Sequence, residues 1–282
     1  MGIEKLIVPN RGEIAVRIAR ACREMGIVSI LGHADSDDVR FTRRFFDEAI
    51  SLGDSYLNVE RVVDAARRAG ADALHPGYGF LSERAELAAA CEEARITFVG
   101  PKSKSIAAMG SKAGSRQLMQ KHGVPVVPGY DGEDQSLEIL TAEAKTIGWP
   151  LLVKASAGGG GKGMKIVRAE SELRGAIESA QREAMKAFGD DRLLLERYIE
   201  EPRHVEFQIF GDTHGNIVHL FERDCSIQRR HQKVVEETPA PRYSEELRQQ
   251  MAAAAIAAAR GVDYVNAGTV EFIVTPEGEF YF

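Results

Sequence analysis

Several groups of residues in the chain are of types that can handle a phosphorylated ligand. The stretch "KASAGGGGKGMKIV", residues 154–167, sets five glycines within six positions: Gly158, Gly159, Gly160, Gly161 and Gly163. Lys154 stands at its base and Met164 at its exit. Ordering five glycines costs very roughly 5–10 kcal/mol at about 1–2 per residue, which is comparable to the net stability of a domain. A ligand that arrives and orders the loop would offset that cost. A hairpin tip rich in backbone N–H groups can fold over phosphates as a lid; the plain alternative is a solvated loop with incidental lysines. Gly158, Gly160 and Gly163 satisfy G-x-G-x-x-G in letters, but a dinucleotide site needs that pattern to run into a helix, and "MKIV" continues as a strand. A Walker A loop fails as well. Ser156 stands where its first glycine belongs, and Gly163 follows Lys162 where Ser or Thr is required.

Other stretches carry compatible chemistry. "MGSK" brings Lys112 to a glycine-bearing turn at a helix start, and "LLLERYIE" puts Glu196 at the end of an apolar strand. There a carboxylate can accept from an adenine amino group, or simply be solvated. "RHVEFQ" sets His204, Glu206 and Gln208 on one face of a strand, which is either a site or a wet sheet face. "ERDCSIQRRHQKVVEE" gathers Arg223, Arg229, Arg230, His231 and Lys233 among Glu222, Asp224, Glu236 and Glu237. That density reads as too high for a core, and as an anion pocket in preference to a solvated surface. Cys225 inside it reads as a packing residue. Glu271 in "GTVEFIV" opposes Val270, Phe272 and Val274. A carboxylate so placed beside phosphates suits Mg²⁺, which takes one or two carboxylates plus phosphate oxygens; otherwise it belongs to a polar strand face.

The elements that must position these residues follow from periodicity. Over residues 1–110 strands and helices alternate: strand 3–8, helix 14–25 ended by Gly26, strand 27–31, helix 59–69, strand 71–75, helix 82–94 capped by Ser82, strand 96–99. This is a small doubly wound α/β domain with a parallel sheet. Short helices are expected at 103–109 and 112–122, and "GVPVVPGYDGED" reads as a linker. Beyond it the spacing predicts a hairpin of strands 151–155 and 164–167 around the glycine loop, and a helix through Leu173, Ile177, Ala180, Ala184 and Phe188. Strands 193–199, 204–209, 217–221 and 268–274 follow, with a helix over 244–260 capped by Ser244 and a last strand over 279–282. The second half is therefore mainly antiparallel sheet with helices.

The totals bound the class. The chain has 282 residues, 44% hydrophobic and 28% charged, as expected for about two globular domains. A net charge of −6 argues against nucleic acid as a partner. Cys22, Cys91 and Cys225 lack C-x-x-C spacing, which fits a reducing compartment without disulfides or zinc. The alanine-rich run 251–259 is too short to span a bilayer, and "MGIEKLIV" has no signal region or myristoylation motif. A cytoplasmic protein with no membrane partner is expected.

"NRGEIAVRIARA", "HPGYGFLSE", "GPK…MGSK", "KASAGGGGKGMKIV", "PRHVEFQIF" and "ERDCSIQRRHQKVVEETPAP" together resemble biotin carboxylase, the ATP-grasp subunit or domain of the biotin-dependent acyl-CoA carboxylases. The resemblance runs from Ile3 to Phe282. It implies an N-terminal pre-ATP-grasp domain over 1–111 and an ATP-grasp α+β domain over 112–282, with a glycine-rich lid at about 128–199 and its C-terminal part missing. It implies that ATP phosphorylates bicarbonate to carboxyphosphate, whose CO₂ is captured by biotin on a biotin carboxyl carrier protein. By matched motif, Lys112 and Lys154 contact the nucleotide phosphates, and Gly158 to Gly163 with Met164 close over them. Glu196 and the backbone near Arg197 and Ile199 hold adenine, while His204, Gln228 and His231 line the nucleotide site. Glu271 holds Mg²⁺ or Mn²⁺, Lys233 is the catalytic residue facing bicarbonate and the transferring phosphoryl group, and Tyr78 and Gly79 meet the biotin ring. A carboxyltransferase component and a homodimer of the full-length form are the implied partners.

The departures are specific. The chain ends at "GEFYF", where the family continues with E-M-N-x-R-x-Q-V-E-H, the segment of the second metal carboxylate, the bicarbonate-binding arginine and the base. The 282-residue chain alone is therefore expected not to carboxylate biotin. Pro9 replaces the usual Ala, "LGHADSDD" replaces a Tyr-Ser pair, and the loop after Gly53 is short. Rival readings are another ATP-grasp ligase (a carbamoyl-phosphate synthetase half, where "RDCSIQRRHQK" occurs in related form, or a D-alanine ligase relative) and a non-catalytic nucleotide-binding module.

Overall fold

The structure, a computed structural model, describes residues 2–110, 112–156, 164–229 and 232–282. The chain divides into two compact units, one of Met1–Ala107 with Tyr264–Ala267, the other of Ala108–Asp263 with Gly268–Phe282.

In the first unit, β1 (Lys5–Pro9), α1 (Gly12–Met25), β2 (Val28–His33), β3 (Glu48–Ser51), α2 (Val59–Arg68), β4 (Ala73–Leu74), α3 (Ala85–Ala94) and β5 (Thr97–Phe98) follow in order. The strands pair in parallel in the order β3-β2-β1-β4-β5. The alternation within "KLIVP" decides the layering. Leu6 and Val8 pack with Leu31 onto Ile18, Ala19 and Cys22 of α1. Ile7 points the other way, with Ile30 and Leu74, onto Val62 and Ala66 of α2 and Leu87 and Cys91 of α3. A sheet buried on both faces needs apolar residues at successive positions, and the run "LIV" supplies them. Gly26 ends α1 at φ 72°, in the left-handed region open to glycine. The expected helix start at Ser82 is corrected. α3 begins at Ala85 with Arg84 at its N-cap, and the Ser82 amide instead donates to the Gly79 carbonyl at 2.9 Å. Gly77, Gly79 and Phe80 all have positive φ, so the chain is still turning there.

After α4 (Ser103–Met109), the second unit runs α5 (Lys112–Lys121), β6 (Gly129–Tyr130), α6 (Leu137–Ile147), β7 (Leu151–Ala155), β8 (Lys165–Val167), α7 (Glu170–Phe188), β9 (Leu193–Arg197), β10 (Arg203–Gly211), β11 (Ile217–Arg229), β12 (Gln232–Glu237), α8 (Glu245–Gly261), β13 (Asn266–Val274) and β14 (Phe280–Tyr281). One sheet has the order β6-β9-β7-β8, with antiparallel pairs throughout. Leu151, Val153, Leu193 and Leu195 bury its inner face against Leu140 and Ala144 of α6 and Leu173, Ile177 and Ala180 of α7. Trp149 packs partly buried on this core. The other sheet has the order β12-β11-β10-β13-β14, and its pairs β10·β11, β11·β12 and β13·β14 are antiparallel. The Ser244 hydroxyl accepts from the Leu247 amide at 3.2 Å, the N-cap expected for α8. Among the described residues, no helix is long and apolar enough to cross a membrane.

Two expectations for this unit change. The stretch read as a linker contributes Val124 and Val127 to the buried interior, and Gly129–Tyr130 pairs with β9. The strand expected over 217–221 continues to Arg229, and the charged run on it is no mere surface: Glu222, Asp224 and Cys225 are buried. Each buried carboxylate has a cation. Arg248 lies 3.0 Å from Glu222, and Arg203 lies 2.8 Å from Asp224.

Gly129 has no room for a side chain, because a Cβ there would overlap the Leu195 carbonyl oxygen on the neighbouring strand. Gly129→Ala should lower stability by roughly 1–3 kcal/mol, the cost of overpacking. Gly175→Ala, in α7 with open space around the new methyl, should instead raise it by up to about 1 kcal/mol. Thermal unfolding of the two variants side by side checks both signs.

Candidate functional site

Two side-chain clusters form within the second unit. The first rests on the pleat of β7. Leu151, Val153 and Ala155 enter the core, so Lys154 projects from the opposite face. Leu152 pairs with Glu196 and Lys154 with Leu194, so Glu196 leaves β9 on the same side as Lys154. Lys154 Nζ lies 2.5 Å from Glu196 Oε2. Lys112 is the first residue of α5. Burial and the positive charge of Lys154 lower the Lys112 pKa from its ordinary range, while Glu196 acts against that shift. Two ammonium groups and a carboxylate thus share one field. Such a set can take an anion on its cations and a hydrogen-bond donor on its carboxylate.

The second cluster spans four strands: His204 and Glu206 on β10, Gln228 on β11, Lys233 on β12 and Glu271 on β13. Lys233 Nζ donates to Glu206 and, at 2.7 Å, to Glu271 Oε1. His204 Nε2 stands 3.2 Å from Glu271 Oε2, and Gln228 Nε2 stands 2.6 Å from His204 Nδ1. This arrangement assigns Nδ1 as acceptor and puts a proton on Nε2, facing the carboxylate. The hydrogen bond from His204, then that from Lys233, pulls Glu271 down to about 2 against the opposing effect of burial. Burial works to lower Lys233, but its bonds to Glu206 and Glu271 prevail and hold the ammonium above its ordinary range. Glu206 is itself buried at 3% exposure, and Arg223 contacts its Oε1.

The donor chemistry separates two places for a divalent cation. Glu271 is a hard oxygen donor, held ionised and half-exposed, and fits Mg²⁺. Glu206, Cys225 and Glu236 also bring ligand atoms within 4.8 Å of one another. Burial and the Glu206 charge raise the Cys225 thiol to about 11, and Glu206 already carries Arg223 and Lys233, so this trio is a poor metal site.

Other expected site residues fall elsewhere. The Arg197 guanidinium turns to Glu279 (3.0 Å) and the Tyr281 hydroxyl (2.7 Å), and its amide donates to the Pro128 carbonyl at 2.8 Å. With Ile199, Arg168, Glu200 and Glu277 it lines a cavity of about 790 Å³. Met164 lies half-buried just before β8. Gly158, Gly159, Gly160, Gly161, Gly163 and His231 lie outside the described residues. Tyr78 and Gly79 belong to the first unit. They line a cavity of about 470 Å³ with Asn10, Arg11, Glu13 and Phe80. These loops follow β1 and β4, where the strand order reverses, and open parallel sheets bind ligands at such switch points. Buried Asn10 holds the second loop, donating to the Pro76 and Tyr78 carbonyls at 2.7 and 2.8 Å. The sequence lends no prominence to Arg116, which lies against Glu196, or to Asp131, which faces Arg116; the four-residue step from Lys112 was the one available signal for Arg116.

Comparison with known proteins agrees with these two units. Residues 2–106 match the biotin carboxylase N-terminal domain, and residues 111–282 match the carbamoyl-phosphate synthase L chain ATP binding domain. The mitochondrial methylcrotonoyl-CoA carboxylase subunit alpha of Dictyostelium discoideum is 52% identical over 99% of this chain, which spans 41% of that relative. The fold is similar to a biotin carboxylase–β-γ-ATP complex from Campylobacter jejuni (TM-score 0.94, 43% identity, all of this chain and 64% of that one). It is also similar to the biotin carboxylase domain dimer of Hydrogenobacter thermophilus 2-oxoglutarate carboxylase, a complex with MgADP, ADP and bicarbonate (TM-score 0.92, 49% identity, all of this chain and 63% of that one). The chain belongs to the biotin carboxylase family, as that family's N-terminal domain followed by the ATP-binding domain it shares with carbamoyl-phosphate synthases.

Proposed function

We propose that the protein carrying this chain carboxylates biotin with ATP and bicarbonate, through carboxyphosphate, as the first half-reaction of a biotin-dependent carboxylase. The biotin would be borne by a carrier protein or domain and then serve a carboxyltransferase component. The observation that carries the reading is Lys233, an ammonium held between Glu206 and Glu271 with its pKa raised, and with His204 and Gln228 nearby. Phosphoryl transfer asks for positioning and charge neutralisation more than for covalent chemistry. Lys112 and Lys154 would neutralise the phosphates, and Glu196 would accept from the adenine amino group. Lys233 would exchange a carboxylate for bicarbonate and the phosphoryl oxygens. Mg²⁺ held at Glu271 would supply further charge to the phosphate oxygens. Tyr78 and Gly79 would meet the biotin ring. A domain boundary near 111–112 and a lid over about 128–199 belong to the same reading; the four-stranded sheet with its own core supports the second.

The test is ADP release by the intact protein, with free biotin or ammonia as acceptor. Release that needs bicarbonate and rises with biotin is expected. Turnover driven by ammonia would favour the carbamoyl-phosphate synthase side of the match, and ATP binding without turnover would overturn catalysis altogether.

A further inference from the structure

Arg116 lies on α5, four residues after Lys112 and hence on the same helix face. Its side chain is 6% exposed, which is rare for arginine without full pairing. One guanidinium nitrogen donates to the Val127 carbonyl and stands 3.5 Å from Glu196 Oε1. The other terminal nitrogen reaches the Gly129 carbonyl at 3.5 Å. Arg116 Nε and Asp131 Oδ2 face each other at 3.7 Å, and among the described residues neither atom has a hydrogen-bond partner. The fork therefore reaches both the segment leading into β6 and the carboxylate on β9.

Among the described residues Glu196 is thus in ion-pair contact with two cations of different kinds. Lys154 approaches Oε2 on a flexible stem, whereas Arg116 approaches Oε1 from the buried side and is fixed by backbone carbonyls. We propose that Arg116 is a positioning residue: it keeps Glu196 compensated when Lys154 moves from that carboxylate to a phosphate. This rests on the reading that Lys154 binds the nucleotide's phosphate tail. Without Arg116, moving Lys154 would strand a largely buried carboxylate, so Lys154 stays on Glu196 and phosphate binding weakens. Adenosine has no phosphate and asks nothing of Lys154, so its binding is untouched by this route.

The experiment measures affinity for MgADP and for adenosine in the intact protein and in the variants Arg116→Gln, Glu196→Gln, Lys154→Met and Arg116→Gln/Glu196→Gln. Arg116→Gln should weaken MgADP by roughly tenfold or more and adenosine by less than about twofold. In the Glu196→Gln background the MgADP loss caused by Arg116→Gln should largely vanish, because no carboxylate remains to trap Lys154. Equal losses for both ligands, or none for either, would overturn the proposal, since a purely structural role moves both together. Should Arg116→Gln not fold, Arg116→Lys carries the same comparison: it keeps the charge, loses the fork, and should show a smaller loss confined to MgADP. If Lys154→Met leaves MgADP affinity unchanged, the nucleotide reading fails and takes the proposal with it. If Lys154→Met weakens MgADP but Arg116→Gln does not, the proposal alone fails.

Discussion

Lys233→Met should lower the rate of ATP cleavage in the intact protein by about 10²–10³, the effect of removing one preorganised charge from a transferring group. The deletion leaves Glu206 with Arg223, and leaves Glu271 half-exposed to water with the His204 Nε2–H beside it, so the sheet should stay folded. KM for ATP should change little, because Lys112 and Lys154 lie in the other cluster. Lys233→Arg should recover only part of the rate. An arginine fork is broader than an ammonium, and the two carboxylates here converge on a single nitrogen. Because the Lys233 pKa is raised, the ammonium stays charged through the neutral range, and any pH limb of the wild-type rate there must come from another group. A steady-state kinetic comparison across pH is the check; a KM effect with kcat intact would remove Lys233 from the transferring phosphoryl group.

Asp224→Asn should cost about 3 kcal/mol at neutral pH, at the lower end for breaking a buried ion pair. Asp224 is 5% exposed, but Arg203 is about one-third exposed and can recover water once its counter-charge is gone. Burial alone would raise the Asp224 pKa. The Ser226 amide at 3.0 Å, the Ser226 side chain and Arg203 outweigh it, so the folded value lies below the ordinary one. A depressed carboxylate contributes stability that is fully present above its unfolded pKa of about 3.9 and disappears as pH falls through the folded value. The gap between wild type and Asp224→Asn in denaturant unfolding should therefore shrink on the acid side. A gap that stays constant into strong acid would mean that the aspartate's ionisation is not what the variant lost.

The sequence made plain what short-range physics decides. Apolar alternation in "KLIVP", Gly26 past the end of α1, Ser244 before α8, and the five residues of β7 all rest on periods and caps within a few positions. The length of β11 did not show, because a run carrying Glu222 and Asp224 reads as too charged to be buried until Arg248 and Arg203 come to meet them from other parts of the chain. The "GVPVVPGYDGED" stretch looked like punctuation because the burial of Val124 and Val127 depends on long-range packing. Lys154, Glu196, Lys233 and Glu271 were legible as chemistry-bearing types, but which cation sits on which carboxylate was not. Arg116 had no local feature beyond its four-residue step from Lys112.

Trp149 is the only tryptophan in the chain, and it packs on the core of the β6-β9-β7-β8 sheet. In a polypeptide of these 282 residues, selectively excited indole emission therefore originates from one layer, without an introduced dye. Rearrangement of that layer on mixing with nucleotide is open to stopped-flow observation in the unmodified polypeptide.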